Sequence, residues 1–341
     1  EQSVSKIVNQ IYKYVGANDS PEKIKSIFTE KIKFIPMLDE QKRLVAIAKK
    51  RKKGVSIGNF VISKESPCFL IAEIGNNHNG DFELAKKLVD NARESGADCA
   101  KFQMRNLNSL YRNSGHADDI REDLGSQYTL DLLSRFQLPN EQLFEIFDYC
   151  KKVGILPLCT PWDHESFFQL EKYGMPAYKI ASADFTNHEF LKVMAQSGKP
   201  LVCSTGMTTE QEIKQSVRLL KSLGSQYILL NCNSTYPAPF KDIHLNYMKK
   251  LKDIGECYTG YSGHERGFHV ALAAVALGAK VIEKHFTLDK SAWGPDHSAS
   301  LNPEEFRALV GALRRAEVAL GQREWHVAEE EFAQRETMRK G

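Results

Sequence analysis

Two apolar runs of this chain end on histidine. YTGYSGH closes at His264 and VIEKH closes at His285, with HVALAAVALGAK lying between them. If the two runs are neighbouring parallel strands, their ends stand about 5 Å apart at the backbone. His264 and His285 can then share one divalent cation through imidazole nitrogens, with water or substrate completing an open site. A lone histidine is usually structural. Two at matching strand ends ask for a common ligand.

Other apolar runs end on polar groups in the same way. Their ends offer Glu73 with the loop NNHN (76–79), Lys101 and Gln103, Thr160, and Lys179 with Ser182 and Asp184. Further on come Ser204 and Thr205, then Asn231, Asn233, Ser234 and Tyr236, then Ser262, and Glu283 two residues before His285. Two lysines among many hydroxyls suit an anion of high charge, such as a phosphate joined to a carboxylate. Any one serine here could simply satisfy loop backbone. Polar or charged groups on every strand end outrun that explanation.

The elements that must carry these residues alternate. Strands are expected at FLIAEI (69–74), DCAKFQ (98–103), ILPLCT (155–160), AYKIAS (177–182), PLVCST (200–205), YILLNC (227–232), CYTGYS (257–262) and KVIEKH (280–285). Amphipathic helices are expected at 83–95, 140–152, 163–173, 187–197, 209–222, 243–252, 267–277 and 303–319, several stopping at glycine. Eight β-α units predict an α/β fold, a (β/α)8 TIM barrel with strand ends converging on one face. A doubly wound sheet would want a Gly-rich fingerprint after its first strand, and EIGNNHNG is not one. GVSIGNFVIS (54–63) predicts a short hairpin before the barrel. The long polar stretch 104–139 falls on the active-site face, where loops of that length tend to be functional.

Composition bounds the rest. The chain has 341 residues, 42% hydrophobic and 26% charged, ordinary for a globular protein. No apolar run reaches the ~18 residues of a membrane span. Seven widely spaced cysteines, with no CxxC pair, predict reduced buried thiols in a cytoplasmic protein. Residues 1–64 hold 14 Lys/Arg against 6 Asp/Glu, and the remainder holds 32 against 37. The basic peak KKRKK (49–53) is short and lacks interleaved aromatics, so it reads as a solvated junction and not as a nucleic-acid site. Residues 326–341 read as a charged linker.

Taken in order, FLIAEIGNNHNGDFELAKKLVDNARESGADCAKFQ, YKIASAD, STGM, YPAP, GYSGH, EKHFTLD and GPDHSAS resemble the sialic acid synthase (nonulosonate synthase) family over residues 54–325. The resemblance implies condensation of phosphoenolpyruvate with an N-acyl amino sugar, N-acetylmannosamine or a 6-deoxy relative, with release of phosphate. It implies a divalent metal on His264 and His285, Mn²⁺ first, with Mg²⁺ or Co²⁺ as alternatives. Glu73 and Glu283 match catalytic positions. Lys101, Gln103, Thr160, Lys179, Ser182, Ser204, Ser234 and Ser262 match phosphoenolpyruvate-binding positions. Asp184, Tyr236 and Asp296 match sugar-contacting positions. The resemblance also implies a homodimer. This chain departs from the pattern at Asp184, at Asn233-Ser234 and at Trp162, and it stops about where the family's C-terminal antifreeze-like domain begins.

Residues 1–53 resemble one repeat of a CBS domain, in IKFIPMLDEQKRLVAIAKK after the helical SPEKIKSIFTEK. The family's usual LVGIIT is LVAIAK here, and a packing or dimerising appendage is the simpler expectation. Two other functions stay open at this level. One is a Schiff-base aldolase on the same fold with Lys179 as nucleophile. The other is a regulatory binding module built on a degenerate barrel.

Overall fold

The computed structural model describes residues 13–29, 32, 34–49, 54–107, 130–321 and 327–340. The chain divides at Lys53/Gly54 into two compact units. Most of KKRKK and residues 108–129 of the long polar stretch lie outside the described residues.

The first unit is a small three-stranded sheet with one helix. β1 (Val15–Gly16) pairs parallel with β2 (Phe34–Leu38), and β2 pairs antiparallel with β3 (Leu44–Lys49). α1 (Pro21–Ile27) joins β1 to β2. The β2–β3 turn is tied by Asp39, whose carboxylate accepts from the backbone N–H of Gln41 and Arg43 and from the Arg43 side chain. Val15, Ile35 and Leu38 are buried, whereas Phe34, Leu44, Val45 and Ile47 are exposed. The apolar set of this unit is therefore only partly buried among its own described residues.

The second unit opens with a hairpin, β4 (Val55–Ile57) and β5 (Phe60–Ile62). Eight parallel strands follow: β6 (Phe69–Gly75), β7 (Cys99–Met104), β8 (Leu156–Pro161), β9 (Tyr178–Ile180), β10 (Leu201–Ser204), β11 (Tyr227–Cys232), β12 (Tyr258–Gly263) and β13 (Val281–His285). The ladder runs β8-β7-β6-β13-β12-β11-β10-β9. β8 and β9, at its two ends, lie side by side, so the sheet is a nearly closed (β/α)8 barrel.

Strand alternation sorts the side chains. Leu70, Ala72, Phe102, Tyr178, Leu229 and Ile282 pack outward against the helices. Phe69, Ile71, Cys99, Leu158, Val202, Ile228, Leu230 and Val281 fill the lower interior, where Val55, Ile57 and Ile62 of the hairpin join them. The hairpin thus plugs the N-terminal end of the barrel. Continuing two residues along each strand leads from that apolar layer to Glu73, Lys101, Thr160, Ser204 and Glu283.

Several helices begin on side-chain caps, and some stop on left-handed residues. Asp81, Asp163, Thr209 and Asn302 each accept a backbone N–H of the first turn. Gly154 and Gly174 close their helices at φ 86° and 88°. One expected helix is displaced: residues 243–252 give way to Tyr247–Gly255, after a 3₁₀ turn at Phe240–Asp242. His244 sits at φ 49°, and an α-helix cannot run through that conformation. Residues 326–341, expected as linker, carry an exposed helix at Glu331–Met338. All seven cysteines are free, five of them buried. No helix among the described residues is long and apolar enough to cross a membrane.

Candidate active site

Above the apolar plug the interior turns ionic. Lys101, on β7, reaches the Glu73 carboxylate of β6 at 2.7 Å and Thr160 Oγ1 of β8 at 3.1 Å. Lys179, on β9, donates to Ser204 Oγ at 2.7 Å and to the Ile180 carbonyl at 2.9 Å. Glu283, on β13, stands between the two lysines, 3.9 Å from Lys101 Nζ and 3.8 Å from Lys179 Nζ, and accepts from Ser262 Oγ at 2.9 Å. Both lysines and both glutamates are at most 6% exposed. Charges buried this deeply persist only when paired, and here they form one connected cluster.

The cluster separates its two carboxyls. Burial pushes Glu73 up to about 7, against the pull of Lys101 and with the Glu283 charge adding to the rise. Burial acts on Glu283 in the same direction, but Lys101 and Lys179 together outweigh it and hold that carboxyl at about 2. Burial also works against the charge of each lysine. Glu283 and Glu73 reverse this for Lys101, which is raised, whereas Lys179 remains lowered, with Lys101 adding to the effect. One carboxyl that stays ionised beside one that exchanges a proton near neutrality is the arrangement expected of acid/base work.

Climbing further along the strands leads to the histidines. The His264 and His285 rings lie 5.4 Å apart, and Tyr236 stacks on His264 with centroids 4.0 Å apart. His264 Nδ1 lies 2.6 Å from the Asn233 carbonyl, which can only accept, so Nδ1 carries the hydrogen, and the neutral ring would present a lone pair at Nε2. His285 Nδ1 is buried without a hydrogen-bond partner, 3.7 Å from Asp296 Oδ2. Burial, reinforced by His264 and Lys101, drives His285 far below the ordinary histidine range and keeps it neutral. Two imidazoles with available nitrogens and one nearby carboxylate suit a divalent ion. Among the described residues, however, no group of three or more His, Cys, Asp or Glu converges as a metal site. A cation here would take its remaining ligands from water or substrate.

A third wall is made of hydroxyls around bare backbone. Gly206 N–H donates to Ser182 Oγ at 3.0 Å. A Cβ on Gly206 would stand 2.8 Å from Ser182 Oγ and would collide with Ser234 Oγ. Glycine therefore leaves a small cradle between two serines, beside the Lys179–Ser204 pair.

These walls enclose a cavity of about 560 Å³. Fourteen of the fifteen candidate residues line it, and Asp184 alone does not. Asp184 is half-buried in the 3₁₀ turn Ser182–Asp184, and burial pushes its carboxyl up to about 6. Several polar residues of the strand-end set have structural roles instead. Asn77 bonds the Phe286 carbonyl and Ser300, Thr205 bonds the Leu230 carbonyl, and Asn231 bonds the Ile243 carbonyl. Residues that the sequence pattern did not single out also line the cavity. They include Arg105, Cys232, Leu133 and Met207. Arg105 continues the two-residue period of Lys101 and Gln103, and that period is the signal that could have found it. Leu133 comes from the helix Leu130–Phe136, within the long stretch expected on this face.

Comparison with known proteins agrees with this geometry. Residues 88–325 match the model of the NeuB family. The N,N'-diacetyllegionaminic acid synthase of Campylobacter jejuni is 41% identical over 257 residues, covering 74% of this chain and 77% of the relative. The human N-acetylneuraminate-9-phosphate synthase is 38% identical over 266 residues, covering 76% and 73%. Among solved structures, the N-acetylneuraminic acid synthetase of Leptospira borgpetersenii, in complex with citrate, superposes with a TM-score of 0.74 at 31% identity. That match covers 85% of this chain and 98% of the other.

Proposed function

The chain belongs to the NeuB family, and on that premise we propose that it condenses phosphoenolpyruvate with an N-acyl amino sugar to give a nine-carbon sialic-acid-type sugar and inorganic phosphate. It is an enzyme, a phosphoenolpyruvate-dependent transferase of the sialic acid synthase type. The observation that carries the reading is the joined cluster of Lys101, Lys179, Glu73 and Glu283 beneath two facing histidines in one cavity.

In this reading Lys101 and Lys179 hold the phosphate and carboxylate of phosphoenolpyruvate by charge-assisted contacts. Ser182, Ser204, Ser234 and Thr160 supply neutral donors around them, while Ser262 donates to Glu283 and Gln103 to Glu73. His264 and His285 would hold a divalent cation, Mn²⁺ first among candidates, which when bound would polarise the aldehyde of the open-chain sugar. Tyr236 and Asp296 face the sugar side, whereas Asp184 lies off the cavity wall. C3 of phosphoenolpyruvate forms the new bond to the aldehyde carbon with the C2=C3 π pair. Water adds at C2 and gives up its two protons, one to the aldehyde oxygen by way of Glu73, poised near neutrality, and one to the departing phosphate as the C2–O bond breaks and phosphate leaves with the electron pair. Glu283 stays charged and keeps both lysines in place.

The Schiff-base alternative draws on the lowered ammonium of Lys179. Borohydride trapping with a keto acid separates the two readings, because the synthase gives no adduct. The direct test is phosphate release from phosphoenolpyruvate with a panel of N-acyl amino sugars, before and after chelation. Release that needs both substrates and is lost on chelation is expected. Release independent of any amino sugar would overturn the reading. Chelator-insensitive release would remove the metal from it.

A further inference from the structure

The geometry points to Arg105 as a positioning residue for Glu73, acting through the side-chain amide of Gln103. The inference rests on the proposed role of Glu73. Gln103 Nε2 donates to Glu73 Oε1 at 2.8 Å, and Arg105 Nη2 donates to Gln103 Oε1. An amide can turn over and exchange its oxygen for its nitrogen. Turned over, this one would set its carbonyl against a carboxylate and its NH₂ against a guanidinium. Both bonds would be lost together. Arg105 therefore fixes which face Gln103 presents, and with it the second donor on the Glu73 carboxylate beside Lys101.

Arg105 is itself held firmly. It is 7% exposed, and its guanidinium lies over the Trp162 ring, 4.4 Å from the centroid. Its carbonyl accepts from Gln137 Nε2 at 2.7 Å. Asn106 N–H donates to Asp163 Oδ2 at 2.7 Å, and Trp162 N–H donates to the Met104 carbonyl at 3.0 Å, extending the β7–β8 ladder to the pair. At the other end of the relay, Gly75 at φ 54° makes room. A Cβ there would stand 3.1 Å from both Gln103 Nε2 and Glu73 Oε1. Lysine cannot replace this arginine fully, because it has neither the planar fork nor the stack.

The test joins kinetics to crystallography on the full chain. Arg105→Ala is expected to lower kcat roughly 10- to 100-fold, the scale of a misplaced catalytic group, with the KM for phosphoenolpyruvate little changed. Arg105→Lys should recover part of that loss. In the Gln103→Ala background, Arg105→Ala should add no further loss, since the relay is already cut. Crystals of Arg105→Ala should show Gln103 released from Glu73, a readout that needs no turnover. A rise in acceptor KM at unchanged kcat would make Arg105 a substrate contact and overturn the inference, as would additive losses in the double variant. Gln103 still bonded to Glu73 in the variant crystals would overturn it too. If the parent enzyme releases no phosphate, the proposed function fails, and the crystal structure alone decides the placement of Gln103.

Discussion

At the scale of single residues the site is a balance of buried charges, and each member has a measurable signature. Lys101→Ala and Lys179→Ala should each raise the KM for phosphoenolpyruvate about ten- to a hundredfold, since a hydrogen bond to a charged group contributes about 1.5–3 kcal/mol. Initial rates with phosphoenolpyruvate varied at saturating acceptor check this, and a loss confined to the acceptor KM would contradict it. Glu73 should mark the stability of the fold as well. The unfolded chain releases its proton near 4.5 and the folded chain near 7. Folding therefore favours the protonated form in that window, and the stability contributed by this group is lost as pH rises through it. Glu283 has the opposite sign, and its contribution disappears only as pH falls through about 2. Glu73→Gln removes the first dependence. Its unfolding temperature should gain on that of the parent between about pH 5 and about pH 8. A constant difference across that range would contradict the assignment.

At the scale of elements, most of the architecture was legible in the sequence. Each barrel strand is a short apolar run ending on a polar group, and most helices are amphipathic, several of them capped by a side chain, so period and punctuation agree. That alternation alone is enough to place Lys101, Glu283 and the two histidines on one face of the barrel. Legibility failed where backbone overrides pattern. His244, with its positive φ, shifted a helix start by four residues. It failed again where a residue's role depends on a neighbour distant in sequence, as with Arg105 and Trp162. Asp184 matched a family motif, yet its turn holds it off the cavity wall. Two glycines separate fold from function. Gly260, in β12, faces the barrel interior, where a Cβ would collide with the Val281 carbonyl. Gly260→Ala should cost about 1–3 kcal/mol or more in denaturant unfolding, because backbone cannot step aside. The atoms nearest a Cβ on Gly206 belong to serine side chains, and the two closest are hydroxyls that can rotate. Gly206→Ala should keep nearly the parent stability and lose phosphoenolpyruvate affinity, as calorimetric titration would show. Equal destabilisation of the two variants would refute the distinction.

At the scale of the whole molecule, the two units differ in what each requires. Among the described residues, both apolar cores of the barrel unit draw only on positions from Val55 onward. Deleting residues 1–53 should therefore leave the barrel folded and turning over, as circular dichroism and phosphate release would establish. An insoluble product, or a soluble one without activity, would move the boundary of the catalytic unit. The plug formed by the β4–β5 hairpin has a different kind of consequence. It makes the reaction chamber a blind alley, with the lysines at the closed end and Tyr236, Asp296 and Arg105 nearer the mouth. Whatever binds the lysines has to enter before the mouth is occupied, and it cannot leave past a seated sugar. With phosphoenolpyruvate on the lysines and the sugar nearer the mouth, as proposed, the expected order is phosphoenolpyruvate first and sugar second. A dead-end analogue of the sugar should therefore inhibit uncompetitively against phosphoenolpyruvate.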